Sequence, residues 1–455
     1  MDRLRRILAP LFPEACEGKR PDSPDAPPVR FTPARVGLTV LAVLAGTGLS
    51  LTRTKGPGAL NSVWAEDGKN FLTDALNRGP FDAVTTPFNG YFHLLPRLLA
   101  EIAALAPVGW AAAVMSTSAA LTAALLAVLV YTAAGAHTRS VLVRLLVAVP
   151  LVVAPVGQGG LGGTGGSVIN NLATLQFPLL YATFWALLWA PASRTGRGVA
   201  LSVVLLAALS SPLAVIYLPL AIARVLVRGD ITGWTQMGWF IVGAGAQFGG
   251  LALGVTSRAD IGHTRIDPGW VVLEYGRWLV PNALLGEAWW ARAGGHTVAY
   301  VALGAVAWLV LAAVAFVVAR RLTRPRWHLA AAASAASLAI LAVELATLGA
   351  RADRYLYTPA LLLIAALAAL LEPADQPVPQ LRRPWLPAAA LAVLLVVVGA
   401  ANWRVENHRA RARPWSEVVA GARAECAATH AGSVTAYTHS RNRYWTVRLP
   451  CARLS

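Results

Sequence analysis

The chain has 455 residues, 56% of them hydrophobic and only 13% charged, with a formal net charge of +17 and a mean hydropathy of +0.55. Such an apolar composition excludes a soluble globular protein. It also argues against nucleic acid as the partner of the positive charge, because the arginines sit in short connections and in the tail, where membrane topology accounts for them. At roughly 20 residues per helix the length leaves room for about ten to twelve crossings.

Residues 1–33 are polar and Pro-rich, carry Arg3, Arg5, Arg6, Lys19 and Arg20, and show no period that builds a core. They read as a disordered cytoplasmic tail. The apolar run begins only at about Val36, too late for a cleaved signal peptide, so 36–51 is expected to be an uncleaved first span entering from the cytoplasm.

Residues 52–107 form the first outer loop. It contains Asn61-Ser62-Val63-Trp64-Ala65-Glu66-Asp67-Gly68-Lys69-Asn70-Phe71, with two adjacent carboxylates. Phe71, Leu72, Ala75 and Leu76 then recur at helical spacing until Asn77-Arg78-Gly79-Pro80, which predicts an amphipathic helix on the membrane surface. After Pro87-Phe88-Asn89-Gly90-Tyr91-Phe92-His93-Leu94-Leu95-Pro96-Arg97 comes a second short helix with Arg97 and Glu101, one turn apart and able to pair, ending at Pro107.

The positive-inside rule orients the rest. Residues 109–134 run inward to His137, Arg139 and Arg144; 145–156 return to a Gly-rich outer loop; 171–191 go in again to Arg194 and Arg197. The stretch 199–227 is broken at Ser210-Ser211-Pro212 and reads as a hairpin of two short helices, which leaves Arg224 and Arg228 inside. Residues 235–255 lead out to a second large outer loop, 256–297, and 298–319 return to Arg320, Arg321, Arg324 and Arg326. Spans 329–349, 357–371 and 386–401 follow. The reading is an all-α polytopic membrane protein with about eleven transmembrane helices, amino end inside and carboxyl end outside. Its transmembrane domain is 34–401, and a small outer tail occupies 402–455. Cys426 and Cys451 both fall in that tail, where an oxidising compartment allows them to pair, whereas Cys16 is alone on the reducing side.

One amino-terminal span, a large outer loop opening with Trp-Ala-Glu-Asp-Gly, a surface helix, the Asn-Gly-Tyr-Phe-His-Leu-Leu-Pro-Arg stretch and a late Asp-Arg-Tyr before a span together resemble the GT-C class of integral membrane glycosyltransferases. The likeness in arrangement covers 36–401. It implies a sugar taken from a polyprenyl-phosphate donor, and an acidic residue of the first outer loop, Glu66 or Asp67, near the active centre. A carboxylate suits this chemistry because a hydroxyl acceptor is a poor nucleophile until a base takes its proton. Asp67 is the preferred base, with Glu66 orienting the acceptor. The donor phosphate needs positive charge as it departs, for which Arg351 and Arg354 are the first candidates and Arg97, Arg277, Arg292 and His296 weaker ones. Tyr91, His93, Asn171, Gln176 and Tyr355 are candidate substrate contacts. Single displacement would invert the anomeric centre.

The alternative for each feature is structural: acids at a helix start as dipole partners, arginines as snorkelling anchors, Asn171 and Gln176 as caps or interhelical bonds. Glu344, inside a predicted span, is either functional or paired with Arg351. The run Gly157-Gln158-Gly159-Gly160 and onward to Gly166 lacks the Gly-Lys-Ser/Thr ending of a phosphate loop and reads as a flexible connection. No metal site has ligand spacing and no cofactor is implied, although acids near Asp67 leave room for a divalent cation beside a phosphate. The expected partners are a polyprenyl-phosphate sugar, a cell-envelope glycan or lipid acceptor and membrane lipids, at a bacterial cytoplasmic membrane. A transporter or flippase of lipid-linked saccharide would place polar groups at the midplane of repeated halves, and no repeat is found. A polysaccharide polymerase or ligase would rest instead on the later outer loop.

Overall fold

The computed structural model describes residues 2–13, 32–159, 167–252, 267–289, 297–348, 352–374 and 383–454. Runs rich in Ala and Leu, the residues that lose least on entering a helix, make helix the dominant element. Among the described residues, Pro33–Leu51, Val108–Ala134, Thr297–Ala319, Trp327–Ala346 and Asp353–Leu370 are long and apolar enough to cross a membrane, and Val141–Val153, Gln176–Leu188 and Leu386–Ala401 are shorter apolar helices. In Thr297–Ala319 only 11% of the apolar window is buried inside the protein. A helix that apolar with that little protein cover requires a lipid environment.

Gln176–Leu188 forms the centre, every residue of it buried, beside Tyr357–Leu370, which is buried through Ala369. Trp327–Leu348 packs on Tyr357–Leu370, the first span on Ala111–Ala134, and Arg194–Ser210 on Gln176–Leu188 and Ile231–Ala252. Small residues set the closest approaches, as expected where helices associate without a hydrophobic driving force. A Cβ on Gly243 would lie 2.5 Å from the Ala208 Cβ.

The helices carry the chain back and forth between two ends. At one end Arg5 donates to the Val227 carbonyl, Arg224 to those of Leu187 and Trp189 (both 2.6 Å), Thr138 to Glu372, and the Arg324 amide to the Glu372 carbonyl. At the other end Ser50 meets Asn170, Arg53 meets the Val152 carbonyl, Gln247 meets Phe92, and Asn402 meets Leu285. The break at Ser210-Ser211-Pro212 is present: Arg194–Ser210 ends there, Pro212–Tyr217 is a 3-10 turn, and Leu218–Arg228 runs back.

Three local expectations need correction. The amino-terminal tail is not wholly without structure: Asp2–Leu8 is helical, Leu11 and Phe12 are buried, and Arg228 donates to the Phe12 and Pro13 carbonyls. The tertiary docking supplies what the local sequence lacks. The chain is also not all α, because the tail closes with an antiparallel pair, β1 (Ser433–Tyr437) and β2 (Thr446–Pro450), in the register Ser433 with Pro450 to Tyr437 with Thr446. Lastly, Arg97 does not pair with Glu101 but with Asp74, at 3.0 Å.

The tail is a compact cap. Helix Trp415–Thr429 packs on β1, and a Cys426–Cys451 disulfide joins the helix to the end of the hairpin. Trp415 Nε1 donates to the Val108 carbonyl, the Arg448 amide to Thr73 Oγ1, and Asn77 to the Arg448 carbonyl. These bonds fasten the cap to the segment between Thr73 and Val108.

Candidate functional site

At the Trp64-Ala65-Glu66-Asp67-Gly68 motif a left-handed residue leads directly into a π-helix. Ala65 has φ of +49°, and the next element, Asp67–Leu72, is a π-helix rather than an α-helix. A left-handed alanine costs on the order of 1–3 kcal/mol and survives only where neighbours over-determine it, and single-turn π-helices collect at functional sites. As successive residues at the start of a helical turn, Glu66 and Asp67 project in different directions. Asp67 points into the protein and is 4% exposed, while Glu66 remains only half-buried.

Asp67 is fully engaged. Its Oδ2 accepts from the Leu172 amide at 2.9 Å and its Oδ1 from the Ala173 amide at 2.8 Å. The same turn is gripped from its other side by buried Arg409, which donates to the carbonyls of Ile169 (3.2 Å) and Asn170 (2.7 Å), to Ser62 Oγ (3.1 Å) and carbonyl (3.2 Å), and to Ser116 Oγ (2.9 Å). Asn170, at φ of +55°, accepts from Ser50 Oγ at 2.7 Å and donates to Thr54 Oγ1 at 3.1 Å. Burial raises the Asp67 carboxyl to about 7, against the two amide bonds and the Arg409 charge that favour its anion. Burial likewise lowers Arg409 to about 10. Asn171 is also consumed by this turn, donating to the Ser167 carbonyl and accepting from the Ala173 amide, so its side chain is a turn cap and not a substrate contact.

Around Glu66 the fold gathers residues from three other segments. Arg354, in the turn Asp353–Leu356, lies within electrostatic reach of Glu66 and Tyr91. It donates to Tyr355 OH at 3.2 Å, with its guanidinium 5.0 Å from that ring. Tyr355 meets Phe177 edge-on at 5.7 Å, and Gln176 donates to Tyr91 OH at 3.4 Å. Asn89 (φ +52°) and Gly90 (φ +85°) make the turn that presents Tyr91, and Gln247 holds Phe92 by both its amide and its carbonyl. Glu66, Tyr91, Gln176, Arg354 and Tyr355 therefore share one neighbourhood.

His93 backs this group rather than lining it. Its ring lies 4.1 Å from that of Tyr91 and is closed in by Phe71 and Phe88. Burial, then the nearby Arg97 charge, lowers it to about 3, so it stays neutral. Arg97 is 2% exposed and donates to Asp74 and to the Ala83 carbonyl at 2.6 Å. It ties the loop helices together and is not placed to meet a donor phosphate. Arg277 is bound to Glu274 at 2.6 Å. Arg292, His296 and Arg351 lie outside the described residues. Glu344, buried in its span, is within electrostatic reach of Arg354.

Two buried features were not singled out by sequence reasoning. Arg409 had no motif to mark it. Glu287 occupies a nest of three amides, from Gly157, Gln158 (3.0 Å) and Gly159 (3.1 Å), so the start of the Gly-rich run is an anion cradle after all, filled by the protein's own carboxylate. Burial first, and the Asp353 charge second, raise the Glu287 carboxyl. The Gly-x-Gly spacing was the available signal. Among the described residues no group of three or more His, Cys, Asp or Glu is placed to hold a metal ion. Comparison with known protein families and with characterised proteins finds no match to this chain.

Proposed function

We propose that this protein is a membrane glycosyltransferase of the GT-C type, transferring a sugar from a polyprenyl-phosphate donor to a cell-envelope acceptor on the outer face of a bacterial cytoplasmic membrane. The observation that carries the reading is the meeting of a half-buried acid, Glu66, with Arg354, Tyr91, Gln176 and Tyr355 at one end of an apolar helical bundle. In this reading about eleven helices cross the bilayer. It draws support from the gathering of Arg5, Arg224, Arg228 and Arg324 at the end opposite the site, as the positive-inside rule requires of a cytoplasmic face. A disulfide in the cap suits an oxidising outer compartment.

The roles of the two acids are reversed from the expectation that Asp67 is the base. Asp67 has both oxygens bound to backbone amides, whereas Glu66 is open enough to receive a proton from an acceptor hydroxyl as that oxygen attacks the anomeric carbon. The bond from that carbon to the donor phosphate breaks, the phosphate leaves with the electron pair, and Arg354 offsets the charge it gains. Tyr91 and Gln176 orient hydroxyls. One displacement gives inversion.

The test is sugar transfer by the purified protein from a polyprenyl-phosphate donor. Glu66→Gln is expected to lose about 10²–10⁴-fold in kcat, the range of a removed general base, with donor KM little changed, and Arg354→Lys to raise donor KM. Full activity of Glu66→Gln would refute the assignment.

A further inference from the structure

The cap has a surface that the proposed chemistry leaves unused. Residues 426–455 contain four arginines and no aspartate or glutamate. The connection between β1 and β2 is exposed from Ser440 to Tyr444, and Arg441 and Arg443 make no ion pair among the described residues. Aromatic rings accompany this charge: Tyr444 is 62% and Tyr437 41% exposed, and the Arg443 guanidinium lies 5.9 Å from the Tyr437 ring.

From this exposed end a ladder of rings leads inward. Tyr444 meets Trp445 edge-on at 4.8 Å, and Trp445 lies 6.1 Å from Trp64, which also meets His439 at 5.8 Å. Lys69 sits 3.0 Å above the Tyr444 ring. Trp64 Nε1–H is buried and has no acceptor among the described residues. Trp64 is two residues from Glu66, and the hairpin also touches Gly68, where an added Cβ would lie 3.6 Å from Thr438 Cγ2 and from the Thr446 carbonyl. The ladder thus starts on an exposed cationic tip and ends at Trp64, two residues before the candidate base.

We infer that the hairpin end of the cap binds an anionic glycan and leads it toward Glu66. Sugar rings present C–H faces that stack on exposed aromatic side chains. Carboxylates or phosphates on the chain match arginines that have no acidic partner, by charge-assisted hydrogen bonds. The absence of any acid in the last thirty residues selects an anionic polymer over a neutral one. As the source of the acceptor this inference rests on the transferase reading; as a binding surface it stands apart from it.

The experiment measures binding without donor, so that a failure of transfer and a failure of binding are separate results. The full-length protein, in nanodiscs of phosphatidylcholine, is titrated with oligogalacturonate or with neutral dextran while tryptophan fluorescence is followed. Oligogalacturonate is expected to bind saturably and dextran at least tenfold more weakly. An Arg441→Ser, Arg443→Ser, Tyr444→Ser triple variant, confined to exposed positions, is expected to weaken oligogalacturonate binding at least tenfold. An Arg194→Ser, Arg197→Ser control at the far end of the bundle is expected to leave it unchanged. No binding by the wild type, equal binding of dextran, or an unaltered triple variant overturns the inference. So does hairpin-dependent capture of the detergent-solubilised protein by phosphatidylglycerol vesicles when oligogalacturonate fails to bind, which would assign the surface to lipid.

Discussion

Arg409→Met tests the idea that the cap is part of the site's framework. Methionine fills much of the volume but donates nothing, so the Ile169, Asn170 and Ser62 carbonyls and the Ser62 and Ser116 hydroxyls lose five bonds. Each stranded buried group costs about 1–3 kcal/mol, and removing one partner of a buried charge pair about 3–5 kcal/mol. These overlap because the same turn carries both, and we expect a total of about 3–5 kcal/mol. For a chain of this length that is a fall in Tm of roughly 3–5 °C, on the scaling of unfolding entropy with size. The assay is thermal unfolding of the full-length protein in detergent, followed by tryptophan fluorescence. Asp67→Asn in the same background removes the carboxylate that Arg409 balances, so the double variant should be less destabilised than the sum of the singles by about 1 kcal/mol or more. A Tm within about 1 °C of the wild type for Arg409→Met, or strictly additive singles, refutes the argument.

Three further outcomes follow from the same geometry. Replacing both Cys426 and Cys451 by Ala opens a loop closed over 25 residues, worth about 3–4 kcal/mol in the chain-entropy account, and should be read as proteolytic nicking of the cap at trypsin levels the wild type survives. Asp67 is raised from 3.8 to about 7, so the folded state holds its proton more tightly than the unfolded chain. Stability from this residue should fall as pH rises from about 4 to 7 and level off above, a slope that Asp67→Asn removes from a Tm-versus-pH series. Ala65→Val should destabilise by about 2 kcal/mol or more, whereas Ala65→Gly should stay within about 1 kcal/mol of wild type, because only the β-branched side chain aggravates a φ of +49°; equal Tm values for the two would show that Ala65 is unstrained.

The helices were legible because their signal is composition over a long window. Breaks such as Ser211-Pro212 were legible because proline and a capping serine act locally. What could not be read was the partner of each charge. Arg97 and Glu101 sit one turn apart, yet Arg97 bonds to Asp74, 23 positions earlier. Asp67 bonds to amides 105 and 106 positions later, and Arg409 reaches Ser62 across 347. A carboxylate bound to backbone amides leaves no side-chain pattern, since any residue other than proline supplies an N–H. Glu66 and Asp67 are adjacent and alike in chemistry, so only the orientation of the turn they open, which depends on the surrounding packing, separates a half-open acid from a closed one.

That separation also explains why the irregularities lie together. A left-handed alanine, a π-helix and a buried carboxylate each oppose folding when taken alone. They coexist here because one carboxylate orders the 167–175 turn from inside while Arg409 orders it from the cap, and the turn in turn fixes Gln176 at the start of the central helix. Gln176 bonds Tyr91, and Arg354 lies within electrostatic reach of both Tyr91 and Glu66. Asp67 therefore acts on the opposite side of the site from its own neighbour in sequence: its closure into the core positions the groups that surround Glu66. Loss of Asp67 should on this argument lower transfer through misplacement of Gln176 and Tyr91. Asp67→Asn, which keeps one acceptor oxygen for the Leu172 or Ala173 amide, should then retain more transfer than Asp67→Ala, whereas Glu66→Gln should lose transfer as fully as Glu66→Ala. Loss of transfer by Asp67→Asn as complete as that of Glu66→Gln would return the base to Asp67.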